Sequence, residues 1–174
     1  MLVEALLLKN QSTSLQNLLY AWGTDVFGTL GDGDASFTVT KINNQSWVAI
    51  AAGLSHVVAL RSDNLLFAWG LNSSGQVGDG TTITRSSPVQ IGSSSWTVIS
   101  AGASHSAAIR SDGAVFTWGA NQLGQLGDAT LINRSSPVQV GSLSWNKISA
   151  GGDSTGGTTS TDLLHMWGDA RQGQ

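Results

Sequence analysis

The chain contains no cysteine among its 174 residues, which excludes disulfides, thiol nucleophiles and cysteine-ligated zinc. Charged residues are also scarce, at 11% of the chain against the roughly 25% usual for globular proteins. The net charge is −3, and the lysines and arginines are scattered singly, without the basic stripe that nucleic-acid phosphates require. No run approaches the roughly 20 apolar residues of a membrane-spanning helix. We therefore expect neither a nucleic-acid nor a membrane partner.

Tryptophan, by contrast, recurs in two series with a period of about 49 residues. The first series is spaced by 47, 49 and 49 residues, each member preceding a glycine, and comprises Trp22, Trp69, Trp118 and Trp167. The second is spaced by 49 and 49 and comprises Trp47, Trp96 and Trp145. A fixed period in this range is typical of propellers and solenoids, in which neighbouring repeats bury each other's apolar faces. The tryptophans are therefore predicted to pack between repeats.

The clearest repeat unit runs from Gly75 to Gly124 and predicts four short strands. After a glycine-rich loop, alternating or apolar runs occur at 85–92, 96–102, 106–110 and 114–119. Ser111-Asp112-Gly113 is a tight-turn sequence, because Asp-Gly supplies the positive φ angles of hairpins. Four strands per repeat predict an all-β fold, a β-propeller whose blades are four-stranded antiparallel sheets.

We divide the chain into a lead-in segment, 1–17, and propeller repeats, 18–174, with approximate units 18–74, 75–123 and 124–174. Because Gly173-Gln174 aligns with Gly75-Gln76, we expect about three and a half blades, an incomplete ring. Open strand edges invite association, so we expect a protein partner or self-association there. A fragment of a longer propeller is the alternative.

Several motifs recur in a fixed order along the repeat. They are Ala101-Gly102-Ala103-Ser104-His105, Arg110-Ser111-Asp112-Gly113, Trp118-Gly119-Ala120-Asn121 and Gly124-Gln125-Leu126-Gly127-Asp128. With these motifs the chain resembles the repeat family of the regulator of chromosome condensation, from about Leu18 to Gln174. Its Ser-Pro-Val-Gln version is similar to repeats in bacterial and phage proteins. The resemblance implies a propeller, usually of seven blades. It implies little about activity, because the fold hosts exchange factors, inhibitors and structural modules alike.

The polar residues that could carry chemistry recur with the repeat. His56 and His105 are equivalent, and a structural hydrogen bond made once per blade explains them better than a metal or acid–base role. Asp32, Asp79 and Asp128 occupy one loop position and are predicted to cap turns. The sequence patterns of calcium-binding β-helices and EF-hands are both missing.

No catalytic motif is present, neither a phosphate-binding Gly-x-x-x-x-Gly-Lys-Ser/Thr nor a Gly-x-Ser-x-Gly elbow. We therefore predict no enzyme activity, no cofactor, and no catalytic, cofactor-binding or metal-ligating residues. Positions that vary between copies, such as the aligned Ala49, Val98 and Lys147, are where a binding surface would lie.

These observations favour a non-enzymatic structural or protein-interaction module. A phage virion appendage or decoration protein, or a bacterial surface protein, fits best, which favours a virion, extracellular or cell-surface location. One alternative is a guanine-nucleotide exchange or chromatin-docking propeller, which would require a basic tail and an insertion that projects from one blade. A second alternative is a protein-inhibitor propeller, which would show aromatic loop tips.

Overall fold

The computed structural model describes residues 4–9, 17–22, 25–32 and 40–169, which form fourteen strands in four antiparallel sheets. The first sheet contains β1 (Glu4–Lys9), β2 (Asn17–Trp22) and β3 (Thr40–Lys41). The second contains β4 (Trp47–Ala52), β5 (His56–Arg61), β6 (Leu66–Gly70) and β7 (Arg85–Gln90). The third contains β8 (Trp96–Ala101), β9 (His105–Arg110), β10 (Val115–Gly119) and β11 (Arg134–Gln139). The fourth contains β12 (Trp145–Ala150), β13 (Ser154–Thr159) and β14 (Leu164–Gly168).

Strands that follow one another in the chain lie next to one another in each sheet. The predicted Asp-Gly turn joins β9 to β10: Gly113 has a φ of +86°, and its N–H donates to Arg110 O at 2.8 Å. The prediction of an all-β fold with four-stranded antiparallel blades is confirmed. Residues 4–9, which lie within the predicted lead-in segment, form β1 and pair with β2.

The grouping of strands into blades differs from the sequence-based prediction. The strand predicted at 85–92 was expected in one blade with the three strands after it, but β7 pairs with β6 and completes the preceding sheet. In the same way β11 pairs with β10. A repeat period defines the length of a unit but not where it begins, so the sequence unit and the blade are offset by one strand. The numerical division of the chain into units stays a prediction.

Successive sheets pack face to face through apolar side chains. Between the second and third sheets, one cluster joins Val58, Leu60 and Leu66 to the tryptophans of the next blade, Trp96 and Trp118. Equivalent clusters lie at the other two junctions. The packing role predicted for the tryptophans is confirmed for the buried Trp47, Trp69, Trp96, Trp118 and Trp145.

The first tryptophan series also makes a hydrogen bond at each junction. The indole N–H of Trp118 donates to the carbonyl oxygen of Gln76, which lies in the loop after β6, at 2.9 Å. The Gly78 of that loop has a φ of +87°, and a Cβ there would lie 2.6 Å from Trp118 Nε1. Only glycine satisfies both the backbone conformation and the close approach, which explains the second glycine of the repeat motif Gly-Gln-Val/Leu-Gly-Asp.

Replacing Trp118 by alanine should lower the free energy of unfolding by about 3–5 kcal/mol, because the change removes a fully buried aromatic ring. Urea unfolding followed by circular dichroism measures the loss. Leu131→Ala is the control, because Leu131 is 66% exposed and its loss should matter by less than about 0.5 kcal/mol. Equal stability of the two variants would contradict the packing role.

Candidate functional site

The two predicted histidines lie inside the blade junctions and are fully buried. His56 Nε2 lies 2.9 Å from Ser106 Oγ on the next sheet, and the Ser106 hydroxyl donates to Gln76 O at 2.8 Å. A hydroxyl has one proton to donate, so Ser106 accepts from His56 Nε2–H. His56 is therefore the Nε2–H tautomer and connects two blades, which confirms the structural role predicted for it.

The same arrangement recurs one blade later with a threonine in place of the serine. His105 Nε2 lies 2.8 Å from Thr155 Oγ1, whose hydroxyl donates to Gln125 O at 2.8 Å. The indole N–H of Trp167 donates to the same carbonyl at 3.0 Å. We call this set of histidine, hydroxyl, carbonyl and tryptophan the junction latch. In the last sheet Ser154 occupies the histidine position, so the latch is not continued there.

Burial keeps both histidines neutral. It lowers the pKa of His56 to about 3, with a smaller contribution from His105. It lowers the pKa of His105 to about 4, against a smaller raising effect of Asp153. The unfolded chain, with histidine pKa values near 6.5, therefore binds more protons than the folded chain between pH 6.5 and about 4. Stability contributed by the latch is present above pH 6.5 and is lost as the pH falls through this window.

His105→Gln should flatten the pH dependence of stability. Each buried histidine makes the free energy of unfolding fall by up to about 1.4 kcal/mol per pH unit below pH 6.5. Glutamine can donate a hydrogen bond but does not titrate. Urea unfolding from about pH 7 to about pH 4.5 should show a slope smaller by about 1 kcal/mol per pH unit in the variant. Identical slopes would contradict this account.

The repeated aspartates cap turns, as predicted for Asp79 and Asp128. Asp79 Oδ1 accepts from Thr81 N at 3.0 Å, and Asp79 Oδ2 accepts from Arg85 Nε at 2.6 Å. Burial acts to raise the pKa of Asp79, but the hydrogen bonds from Thr81 and Arg85 outweigh it and hold the pKa below its ordinary value. Asp128 repeats these contacts with Thr130 and Arg134.

A buried asparagine holds each of these loops together. Asn72 Nδ2 donates to Asp79 Oδ1 at 3.2 Å and to Ile83 O at 3.1 Å, while its Oδ1 accepts from Val77 N at 2.9 Å. Asn121 repeats the pattern one blade later. The loop backbone is therefore fixed by side-chain hydrogen bonds although the loop is not part of a sheet.

The first copy of the loop departs from this pattern. Asp25 takes the place of the asparagine, and its Oδ1 accepts from Leu30 N at 2.9 Å. Burial raises the pKa of Asp25, the hydrogen bond from Leu30 opposes the rise, and the charge of Asp32 adds to it. A carboxylate cannot donate a hydrogen bond to Asp32 as the amide of Asn72 does to Asp79.

Asp25→Asn should therefore stabilise the protein, by about 1 kcal/mol at neutral pH, because it restores an amide donor and removes like-charge repulsion. The gain should shrink at acidic pH, where the Asp25 carboxyl is itself protonated and neutral. Asn72→Asp, the reverse change in the next copy, should destabilise. Thermal unfolding of the three proteins compares them, and a destabilised Asp25→Asn variant would refute the equivalence.

These fixed loops carry exposed aliphatic side chains that the sequence reasoning did not single out. Ile83 and Ile132 occupy the same position in successive loops and are each 61% exposed, and Leu131 is 66% exposed. We call these three residues the loop rim. An inhibitor propeller was expected to show aromatic loop tips, whereas the rim is aliphatic. The recurrence of isoleucine at the 49-residue period, at Ile83 and Ile132, is the sequence pattern that could have indicated this surface.

The second surface is the outer face of the last sheet. Leu164 is 68% exposed and Met166 is 56% exposed. Their equivalents in the third sheet, Val115 and Thr117, are fully buried. Leu164 and Val115 are both aliphatic and similar in size, so the side chains themselves do not explain the difference in exposure. Leu164 is exposed because no described sheet packs against this face. We call the face that carries Leu164 and Met166 the terminal face.

A groove of about 690 Å³ lies along the terminal face, and its lining includes Lys147, Gly156, Thr158, Leu164 and Met166. Of the variable positions noted in the sequence, Ala49 and Val98 pack against the clusters between blades, and Lys147 is exposed. Of the three positions, Val98 and Lys147 both line this groove, and Lys147 is the exposed one.

Within the described ranges, no three His, Asp or Glu side chains lie close enough together to hold a metal ion. The same ranges contain no helix with the length and hydrophobicity needed to cross a membrane.

Comparison with known families assigns the repeat. A profile described as Regulator of chromosome condensation (RCC1) repeat matches residues 63–109 and 112–156, slightly more than half of the chain, and a second RCC1 repeat profile matches 47–76 and 96–125. The chain belongs to the RCC1 repeat family. No curated protein matches the sequence.

Several solved structures, among them yeast RCC1, are similar in fold. Human WBSCR16 superposes with a TM-score of 0.76 at 20% identity, over 86% of this chain and 42% of that one. Yeast RCC1 (Prp20), solved bound to Kap60, gives 0.77 at 20% identity over 88% and 40%. Prp20p from Saccharomyces cerevisiae gives 0.76 at 21% identity over 87% and 41%. The chain spans about two fifths of the length of these proteins, and identities this low establish the propeller fold alone.

Proposed function

We propose that this RCC1-repeat chain is a non-enzymatic structural or protein-interaction module that binds a protein partner, or a second copy, through the open edges and faces of its blades. The observation that supports it best is the terminal face, where Leu164 and Met166 are exposed at positions that are buried in earlier blades. Exposed contiguous apolar surface and unpaired strand edges both favour association.

More specifically, we propose that this module is a phage virion appendage or decoration protein, or a bacterial surface protein, at a virion, extracellular or cell-surface location. The low charge content and the Ser-Pro-Val-Gln version of the repeat support it. We propose no cofactor and no catalytic, cofactor-binding or metal-ligating residues, since the polar residues that the sequence suggested make structural hydrogen bonds.

Two other functions have less support than this one. The yeast relative was studied for binding to Gsp1p and histones, but the net charge of −3 gives no particular support for chromatin docking here. Insertion of loops into a partner, as in a protein inhibitor, is favoured by the loop rim, because Ile83 and Ile132 are exposed on backbone that is already fixed. Pre-organised loops lose little entropy on binding.

Sedimentation velocity over a range of concentrations tests the proposal. The 18.0 kDa chain should associate as concentration rises, and Leu164→Lys should suppress this because it places a charge on the terminal face. The matched control is Ile83→Asp combined with Ile132→Asp, which changes the loop rim and should leave association intact. Loss of association in the control alone would favour loop insertion. A cooperatively folded 18.0 kDa monomer at every concentration would contradict self-association and the need for a partner to cover the open edges.

A further inference from the structure

A cavity of about 340 Å³ lies between the second and third sheets, and it shares no lining residue with the groove on the terminal face. Trp96, Phe116 and Pro137, all from the third sheet, form its apolar wall. Gln90 and Gly92, at the end of β7 and just beyond it, also line the cavity. The volume falls within the range of roughly 300–1,000 Å³ that is usual for small-molecule sites.

The aromatic wall of this cavity is held in place by neighbouring side chains. The rings of Trp96 and Phe116 meet edge to face, with their centroids 5.3 Å apart. The guanidinium carbon of Arg110 lies 4.7 Å from the centroid of Phe116, and Arg110 forms an ion pair with Asp112 at 2.6 Å. A ligand that packs on this wall therefore finds it already ordered, which reduces the entropy lost on binding.

The polar groups of the lining offer neutral hydrogen-bond donors and acceptors. The hydroxyls of Ser94 and Ser136 line the cavity and have no hydrogen-bond partner among the residues that the structure describes. The side-chain N–H of Gln90 donates to Gly92 O at 2.8 Å, which leaves the Gln90 carbonyl oxygen as an acceptor. These groups suit a ligand that carries several hydroxyls.

The indole N–H of Trp96 is a further donor at this wall. It is buried and unpaired within the described part of the chain, as are the indole N–H groups of Trp47 and Trp145. A buried donor without a partner is costly. A ligand oxygen that accepts from Trp96 would therefore contribute to binding.

Charge in the lining is already compensated. The carboxylate of Asp79 lines the cavity, but it forms an ion pair with Arg85 and accepts hydrogen bonds from Thr81. A cationic ligand would have to compete with Arg85 for this carboxylate. The site therefore favours a neutral ligand.

The junction between the first and second sheets carries larger side chains at the same repeat positions. Asn43 stands there in place of Gly92, and Gln45 stands in place of Ser94. The Oε1 atom of Gln45 is buried, so this longer side chain reaches into the interior of its junction. Two small residues at the second junction leave that room open.

We propose that this cavity binds a neutral pyranose residue of a glycan. One face of a pyranose ring is apolar and packs on aromatic rings, while its hydroxyls both donate and accept hydrogen bonds. An extended peptide fits less well, because it would bind through main-chain hydrogen bonds and Pro137 has no N–H to donate. The inference goes beyond the proposed protein-interaction function and does not depend on it, because the cavity and the terminal face lie on different sheets.

Titration of the ¹⁵N-labelled chain with four neutral sugars tests the inference by NMR. The sugars are methyl α-glucopyranoside, methyl α-mannopyranoside, methyl β-galactopyranoside and N-acetylglucosamine, each up to about 50 mM, which detects even a millimolar Kd. At least one should cause saturable shifts of the Trp96 indole N–H signal and of the Gly92 and Ser94 amide signals. No shift with any of the four sugars would overturn the inference.

The first junction supplies the variant that should close the cavity. Gly92→Asn combined with Ser94→Gln should weaken binding at least about tenfold, because the added side chains take the place of the ligand. The variant should fold, because Gly92 has a φ of +60° with no atom within 4 Å of an added Cβ, and Asn43 has a φ of +48°. Ser93→Asn is the matched control, since Ser93 is exposed and outside the lining, and it should bind as the unmodified chain does.

The same variants separate this inference from the proposed function. The filled variant should associate with rising concentration as the unmodified chain does, and Leu164→Lys should keep its sugar binding. If the chain associates but no sugar binds, the interaction function stands and the glycan site is wrong. Equal affinity of the filled variant and the Ser93→Asn control would place the sugar elsewhere and would also overturn the inference.

Discussion

The junctions between blades depend on a main-chain carbonyl that accepts the tryptophan indole N–H of the next blade, and at two of the three described junctions this carbonyl also accepts a hydroxyl. Gln76 O receives the Ser106 hydroxyl and the Trp118 indole N–H. Because the Ser106 hydroxyl also accepts from His56, the latch connects a strand, a loop and the following sheet through buried groups. Buried polar groups are costly when unpaired, so the histidine and the hydroxyl that it pairs with must be kept together or lost together.

Changes of this kind are visible along the chain. Val57 stands in the first described copy where Ser106 and Thr155 supply a hydroxyl, and Ser154 stands in the last where the histidine would be. The latch therefore operates at two successive junctions, while apolar packing and the tryptophan hydrogen bond recur at all three. Stability in such arrays comes mainly from neighbouring units, so local loss of the latch is tolerated.

Packing on both faces also explains where the exposed apolar surfaces lie. Inner blades bury one face against the preceding sheet and the other against the following sheet, which leaves the loops and, among the described residues, the terminal face exposed. The loops can present Ile83 and Ile132 to solvent because Asn72 and Asn121 hold their backbone in place. The terminal face presents Leu164 because the repeat pattern of apolar residues continues up to it.

The sequence by itself determined the strand content, the 49-residue period and the packing role of the tryptophans, since all three follow from residue types at fixed spacing. It also indicated that the histidines and aspartates are structural, because His56 and His105, like Asp32, Asp79 and Asp128, occupy equivalent positions in successive copies. Only the tertiary structure decided that β7 belongs in one sheet with β6. The hydrogen bonds between strands define which strand begins a sheet, whereas a repeat period does not. The tertiary structure likewise decided which apolar residues are exposed: Leu66 and Leu164 are the same amino acid at the same repeat position, and Leu66 is buried because a described sheet packs against it, whereas Leu164 is 68% exposed.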